Sequence, residues 1–232
     1  MKDKTIYWFE NELRSFEVSN IPGYIKKLRA NIGDNEVFGD LQFEGFAALI
    51  LSDGGFNIEM QDSPDLLVGY NNLQFYAEVK HFREKDQDII DDENMGAYEE
   101  VLKEIGNTTE SEGKHSIDQV VDVAKKKIKQ YRDDSPNLLV IGSSSQNCID
   151  KYTVQLAIIV LEYLLSKNKY PGLEKLGGVL LWARERELGT NRNIYFYPLK
   201  GTKLPFNEKM KKMLNQITYF KPWLDAFLFL SK

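Results

Sequence analysis

The chain of 232 residues contains one cysteine and two histidines, and those shortages remove whole classes of chemistry. A lone Cys148 excludes an intrachain disulfide framework and fits a reducing cytosol. It lies in the run SSSQNCID, and a thiol nucleophile there would need a base from His81 or His115, the two histidines of the chain. A structural cysteine is the expected reading. The same scarcity of Cys and His argues against zinc. No glycine-rich phosphate loop of the GxxxxGK type occurs, so nucleotide-dependent chemistry has no motif to rest on. Internal repeats and low-complexity tracts are missing as well. The longest apolar run, Leu156 to Leu165, is preceded by Gln155 and broken by Glu162, which leaves it too short and too polar to cross a bilayer. The opening MKDKTIYWFENEL has neither the apolar segment nor the small-residue cleavage site of an export signal. A cytoplasmic protein without a membrane partner is expected.

What is present is an ordinary globular composition, 42% apolar and 28% charged, enough to bury a substantial core in a single domain. The net charge of −5 speaks against a nucleic-acid coat protein. Its distribution is uneven. Residues 83–114 hold eleven acids and four bases, a net of −7, so the rest of the chain carries +2. An acidic insertion with a short helix at 93–105 therefore hides a mildly basic body. A solvated decoration is its default role, with a flap or a protein-partner surface as alternatives.

The most informative stretch is PDLLVGYNNLQFYAEVKH, residues 64–81. Two segments of period two flank Asn71-Asn72, and Asn tolerates the positive φ of a two-residue hairpin turn. With Tyr70 opposite Leu73, the register sets Asp65 opposite Glu78. Facing residues share one side of a sheet at about 4.5–5.5 Å between Cβ atoms. Two carboxylates so placed destabilise a hairpin unless a proton or a cation lies between them. Lys80, two residues beyond Glu78, points to the same side. Such a group could hold Mg²⁺, which takes one or two carboxylates and keeps several waters, with the amine orienting a water or steadying negative charge. A solvated charged face with a chance Glu-Val-Lys is the alternative.

Around the hairpin the pattern reads as mixed α/β. Residues 4–30 are helical with a break at Ile21-Pro22-Gly23. A helix opened by Asp34-Asn35-Glu36 runs to Ser52 and stops at Gly54-Gly55; on it Glu44 shares a stripe with Leu41, Ala47, Ala48 and Leu51. A carboxylate there needs a cation, a proton or a polar partner, unless it reaches water at the edge of the core. Phe56 to Met60 is a strand. Ile117, Val120, Val121, Ala124, Ile128 and Tyr131 mark an amphipathic helix. Its polar flank carries Gln119, Lys125, Lys126, Lys127, Lys129 and Gln130, either a solvated face or a basic edge able to meet phosphates. Asn137 to Gly142 reads as a buried parallel strand. A helix from Asp150 to Lys167 buries Val154, Leu156, Ala157, Ile158, Val160, Leu161 and Leu164. Gly178 to Ala183 and Asn193 to Leu199 form a hairpin across Gly189-Thr190-Asn191, with Arg184, Arg186 and Arg192 beside the turn. A helix at Asn207 to Ile217 and an aromatic tail from Tyr219 to Phe229 close the chain.

A helix with an inward acid, a strand, Pro64-Asp65 opening the next strand, Glu78-Val79-Lys80 on the one after, a helix and a buried strand: in this order the residues from about 36 to 145 resemble the PD-(D/E)xK nuclease superfamily. The resemblance implies a restriction-endonuclease-like fold, a mixed central sheet flanked by helices. Here it would carry an N-terminal helical cap (1–33), a core (34–145) interrupted by the acidic insertion, and a C-terminal helix, hairpin and helix (146–232) completing the same domain. It implies Mg²⁺, with Mn²⁺ as a substitute, held by Asp65, Glu78 and the Val79 carbonyl, with Glu44 as accessory ligand and Lys80 as catalytic amine. Lys127 and Gln130 correspond loosely to a basic or amide residue that faces the site in some branches and would touch nucleic acid. The expected activity is metal-dependent hydrolysis of a nucleic-acid backbone, DNA before RNA, by a chain that could act as a homodimer. The departures are the acidic insertion and the lack of a DNA-reading module. The alternative is a catalytically silent nuclease-like scaffold that binds a protein or nucleic acid, since fold does not guarantee function.

Overall fold

The computed structural model describes residues 2–82, 116–143, 149–183 and 192–219. Within them six strands form one mixed sheet in the order β1 (Asn57–Met60), β2 (Leu66–Tyr70), β3 (Leu73–Phe82), β4 (Asn137–Ser143), β5 (Leu176–Trp182) and β6 (Ile194–Pro198). β1, β2 and β3 are mutually antiparallel; β4 runs parallel to both β3 and β5, and β6 returns antiparallel. Six α-helices are described: α1 (Lys2–Ser15), α2 (Ile21–Ala30), α3 (Asn35–Asp53), α4 (Ser116–Lys126), α5 (Lys151–Ser166) and α6 (Glu208–Gln216). None among the described residues is long and apolar enough to cross a membrane.

Two cores sandwich the sheet. Leu66, Val68, Phe75, Ala77, Val79, Leu138 and Val140 pack with Phe9, Leu13, Tyr24, Phe46 and Leu214 from α1, α2, α3 and α6. Phe82, Leu139, Ile141, Val179 and Leu181 pack with Val120, Val121, Ala124, Val154 and Leu161 from α4 and α5. The near-continuous apolar run of β4 follows from this, because both of its faces are covered. Each fully buried Phe or Leu contributes about 1.5–3 kcal/mol.

The hairpin takes the expected register, Leu66 opposite Ala77 through to Tyr70 opposite Leu73, and Asn71 supplies the positive φ of 53°. α3 starts where its cap dictates, Asp34 Oδ1 accepting from the N–H groups of Glu36 (2.9 Å) and Val37 (3.0 Å). Its end is marked by Gly55 at a φ of 87°.

Four expectations are corrected. The N-terminal helices separate at residues 16–20, with Glu17 and Asn20 both at positive φ. Pro22 lies in the first turn of α2, a position that needs no intrahelical N–H donor, so Ile21-Pro22-Gly23 opens a helix instead of breaking one. Leu156 is 41% exposed, not core; it shares an outward face of α5 with Tyr152 and Ile159. The helix carrying Ile117 ends at Lys126 and tightens into a 3₁₀ turn, Lys127–Lys129. Tyr131 is buried beyond that turn, and Gln119, 3% exposed, lies inside rather than on the polar flank. The acidic insertion with its helix at 93–105, His115, Cys148, the turn 189–191 with Arg184 and Arg186, and the tail beyond Tyr219 lie outside the described residues.

Candidate active site

Asp65 sits one residue before β2, directly after a cis Ser63–Pro64 bond. Alternation along β3 sends Ala77 and Val79 to one core, so Glu78 and Lys80 face the α4 side of the sheet. Val79 N–H donates to Asp65 Oδ2 at 2.7 Å, which pins the carboxyl across the mouth of the hairpin. Asp65 and Glu78 are 9% and 1% exposed, and their carboxyls lie within hydrogen-bonding reach of each other. Both acids are buried next to each other, just beyond the last ladder pair, Leu66 with Ala77.

Lys127 supplies the ammonium that meets this pair. Because α4 stops at Lys126, the 3₁₀ turn brings Lys127 Nζ to 2.7 Å from Glu78 Oε2. Glu78 Oε1 is buried and has no N–H or O–H donor. A proton shared with Asp65 would satisfy it, and so would a cation.

The electrostatics match that geometry. Burial, then the negative charge of Asp65, pushes Glu78 up to about 7. Burial also raises Asp65, against the opposing pull of the Lys127 charge and the Val79 N–H. Glu44, projecting from α3 on the opposite side of the sheet, is pushed up to about 8 by burial and then by Asp65. Burial alone would lower Lys127, but its bond to Glu78 and the charges of Glu78, Asp65 and Glu44 hold it above the usual lysine range. Asp65 thus bears on both Glu44 and Glu78.

The structure brings together Glu44, Asp65, Glu78 and Lys127. Lys80, half-buried, follows Glu78 on the same face of β3. Gln130 lines a neighbouring cleft instead. Lys27, on α2, has no counterpart in the sequence reading. It pairs with Asp62 at 2.6 Å, donates to the Gln61 carbonyl at 3.2 Å and acts electrostatically on Glu44 and Asp65. No local signal marks it, since a lysine on the polar side of a short helix is ordinary. The remaining basic edge of α4 is partly used internally: Lys125 binds Asp122 at 2.9 Å and lies 4.8 Å over the Tyr170 ring.

Among the described residues no group of three or more His, Cys, Asp or Glu side chains is disposed to hold a metal by itself. Two facing carboxylates are the smaller set that a hydrated Mg²⁺ uses, and Glu78 Oε1 is a buried oxygen that lacks a donor. On the chemistry of those donors the pair fits a hard divalent ion. The chain matches no protein-family model, no curated protein and no solved structure.

Proposed function

We propose that the chain is a Mg²⁺-dependent phosphodiesterase that hydrolyses a nucleic-acid backbone, DNA in the first instance, with a PD-(D/E)xK-type site on a restriction-endonuclease-like core. The observation that carries the reading is the buried, face-to-face pair of Asp65 and Glu78 with its donorless oxygen. Burying two acids against each other costs stability, and a cation site gives that cost a purpose. The order of α3, β1, β2, β3, α4 and β4, with β4 parallel to β3, also supports it.

Asp65, Glu78 and the Val79 carbonyl would hold the ion, with Glu44 adjusting the charge beside Asp65. When bound, Mg²⁺ polarises a phosphate oxygen and lowers the pKa of its water. Lys80 orients the attacking water or offsets charge on the phosphate as it develops. Lys127 holds Glu78 in place and neutralises it until substrate and ion arrive. The test is a plasmid-nicking assay with Mg²⁺ or Mn²⁺ on the wild type and on Asp65→Asn, run beside calorimetric titration of the ion. Nicking and ion binding by the wild type alone support the reading. No ion binding at millimolar concentration, with or without DNA, overturns it.

One observation favours a second reading, a silent scaffold that binds a partner: Lys127 already satisfies Glu78 Oε2, so the cluster can close on itself without a ligand. Deleting residues 84–112 separates the two. Loss of partner binding, with no nicking by either form, selects the scaffold.

A further inference from the structure

Beside the carboxylate pair lies a cleft of about 490 Å³ whose walls include Ser63, Tyr76, Lys129, Gln130, Arg132 and Lys175. It neighbours the candidate site through β3 and the segment leading into β2. Ser63 is two residues before Asp65. Tyr76 is two residues before Glu78 on the same face of β3, about 6–7 Å along the strand. Tyr131, buried in the same wall, is held protonated well above its usual range by burial and by the charge of Glu78.

The walls are built rather than incidental. Asn137, 1% exposed, accepts from the Arg132 N–H at 2.8 Å. Its amide donates to the carbonyls of Arg132 (2.9 Å), Ser135 (3.2 Å) and Lys175 (3.0 Å). One buried side chain thus clamps the loop after α4 to the start of β5. Arg132 then lies over the Tyr76 ring, 5.6 Å from its centroid, and donates to the Ser63 carbonyl at 3.2 Å. Asp133, next to Arg132 in the chain, is engaged by Lys175 at 2.9 Å, so Lys129 and Arg132 leave the cleft with positive character despite Asp134.

A guanidinium over an aromatic ring, flanked by an amide and a lysine, is a combination that takes a nucleobase and its phosphate. Bases stack on Arg planes and aromatic faces, and every base offers such a face. We propose that this cleft is the subsite for the nucleotide adjoining the scissile phosphate, its base on the Arg132–Tyr76 platform and its phosphate at Lys129. The proposal rests on the nuclease reading of the neighbouring carboxylates.

Two measurements on the full chain test it. The first is titration of dAMP and dCMP, without divalent ion, followed by amide chemical shifts. The second is the KM and kcat of oligonucleotide cleavage. Arg132→Ala, an exposed position, and Tyr76→Ala should each weaken mononucleotide binding about fivefold or more and raise KM by a similar factor at unchanged kcat. Tyr76→Phe, which keeps the ring, should behave as wild type. Cleavage by the wild type with KM unmoved in Arg132→Ala overturns the subsite and leaves the nuclease reading standing. Mononucleotide binding that depends on Arg132, without any cleavage by the wild type, overturns the nuclease reading while retaining the cleft's ligand. Absence of both overturns both.

Discussion

Lys127 Nζ lies 2.7 Å from Glu78 Oε2, across 49 residues of chain, and this contact closes the α4 side of the candidate site. Glu78 is 1% exposed and the Lys127 side chain 23%. Removing the ammonium leaves a buried carboxylate without its counter-charge, beside the like charge of Asp65. Lys127→Met should therefore lower stability by about 2–3 kcal/mol at neutral pH. A urea midpoint unchanged from wild type would show that the pair contributes nothing.

Stability should fall as pH rises. Glu78 and Glu44 are raised to about 7 and about 8 from an ordinary 4.5, so the folded chain retains protons that the unfolded chain has already released. Their contribution is fully present below about pH 4.5 and is lost as pH climbs through 7 and 8, at up to about 1.36 kcal/mol per pH unit for each proton. Asp65→Asn removes the charge that helps to raise both groups and should flatten the slope. Urea unfolding of the two proteins between about pH 5 and pH 8 measures this, and parallel slopes would count against the coupling.

Metal binding should carry the opposite dependence. A divalent ion competes with the proton on Glu78, so calorimetric affinity for Mn²⁺ should tighten from about pH 6 to about pH 8, with protons released on binding. Asp65→Asn should abolish the heat. An affinity insensitive to pH would place the ion elsewhere.

Lys80→Ala should eliminate nicking while shifting stability by no more than about 0.5–1 kcal/mol, because the side chain is only half-buried. Turnover equal to wild type in this variant would remove Lys80 from the mechanism.

Gly45 follows Glu44 on α3. A Cβ there would overlap the Tyr24 hydroxyl and the Phe9 ring, so α3 can approach α1 and α2 this closely only without a side chain at that position. Gly45→Ala should cost about 1–3 kcal/mol, read as a lowered thermal midpoint. It should also move Glu44 and weaken ion binding.

Much of the architecture was legible along the chain because it depends on near neighbours. Period-two alternation on both sides of Asn71-Asn72 carried the hairpin and its register, and so brought Asp65 near Glu78. The caps Asp34, Asp150 and Asn207 each hold an N–H of their own helix and marked where α3, α5 and α6 begin. The apolar run from Asn137 announced a strand buried on both faces. Where local reading failed, a second element had intervened. Leu156 belongs by periodicity to the buried stripe of α5, yet it lies on the side of the helix that the sheet does not cover. Pro22 reads as a breaker until the positive φ of Asn20 is seen to start a new helix behind it.

By itself, then, the sequence determined the facing carboxylates, because hairpin pairing is set by a turn and a period of two within a few residues. Only the tertiary structure decided which ammonium meets them and what lies beside them. Lys80 shares Glu78's side of the sheet through strand alternation alone, whereas Lys127 reaches Glu78 because α4 tightens into a 3₁₀ turn against β3. Arg132 covers Tyr76 because Asn137 clamps the loop between. Both contacts join residues roughly fifty positions apart, and their distance in space is set by how helices pack on the sheet, which no local pattern encodes.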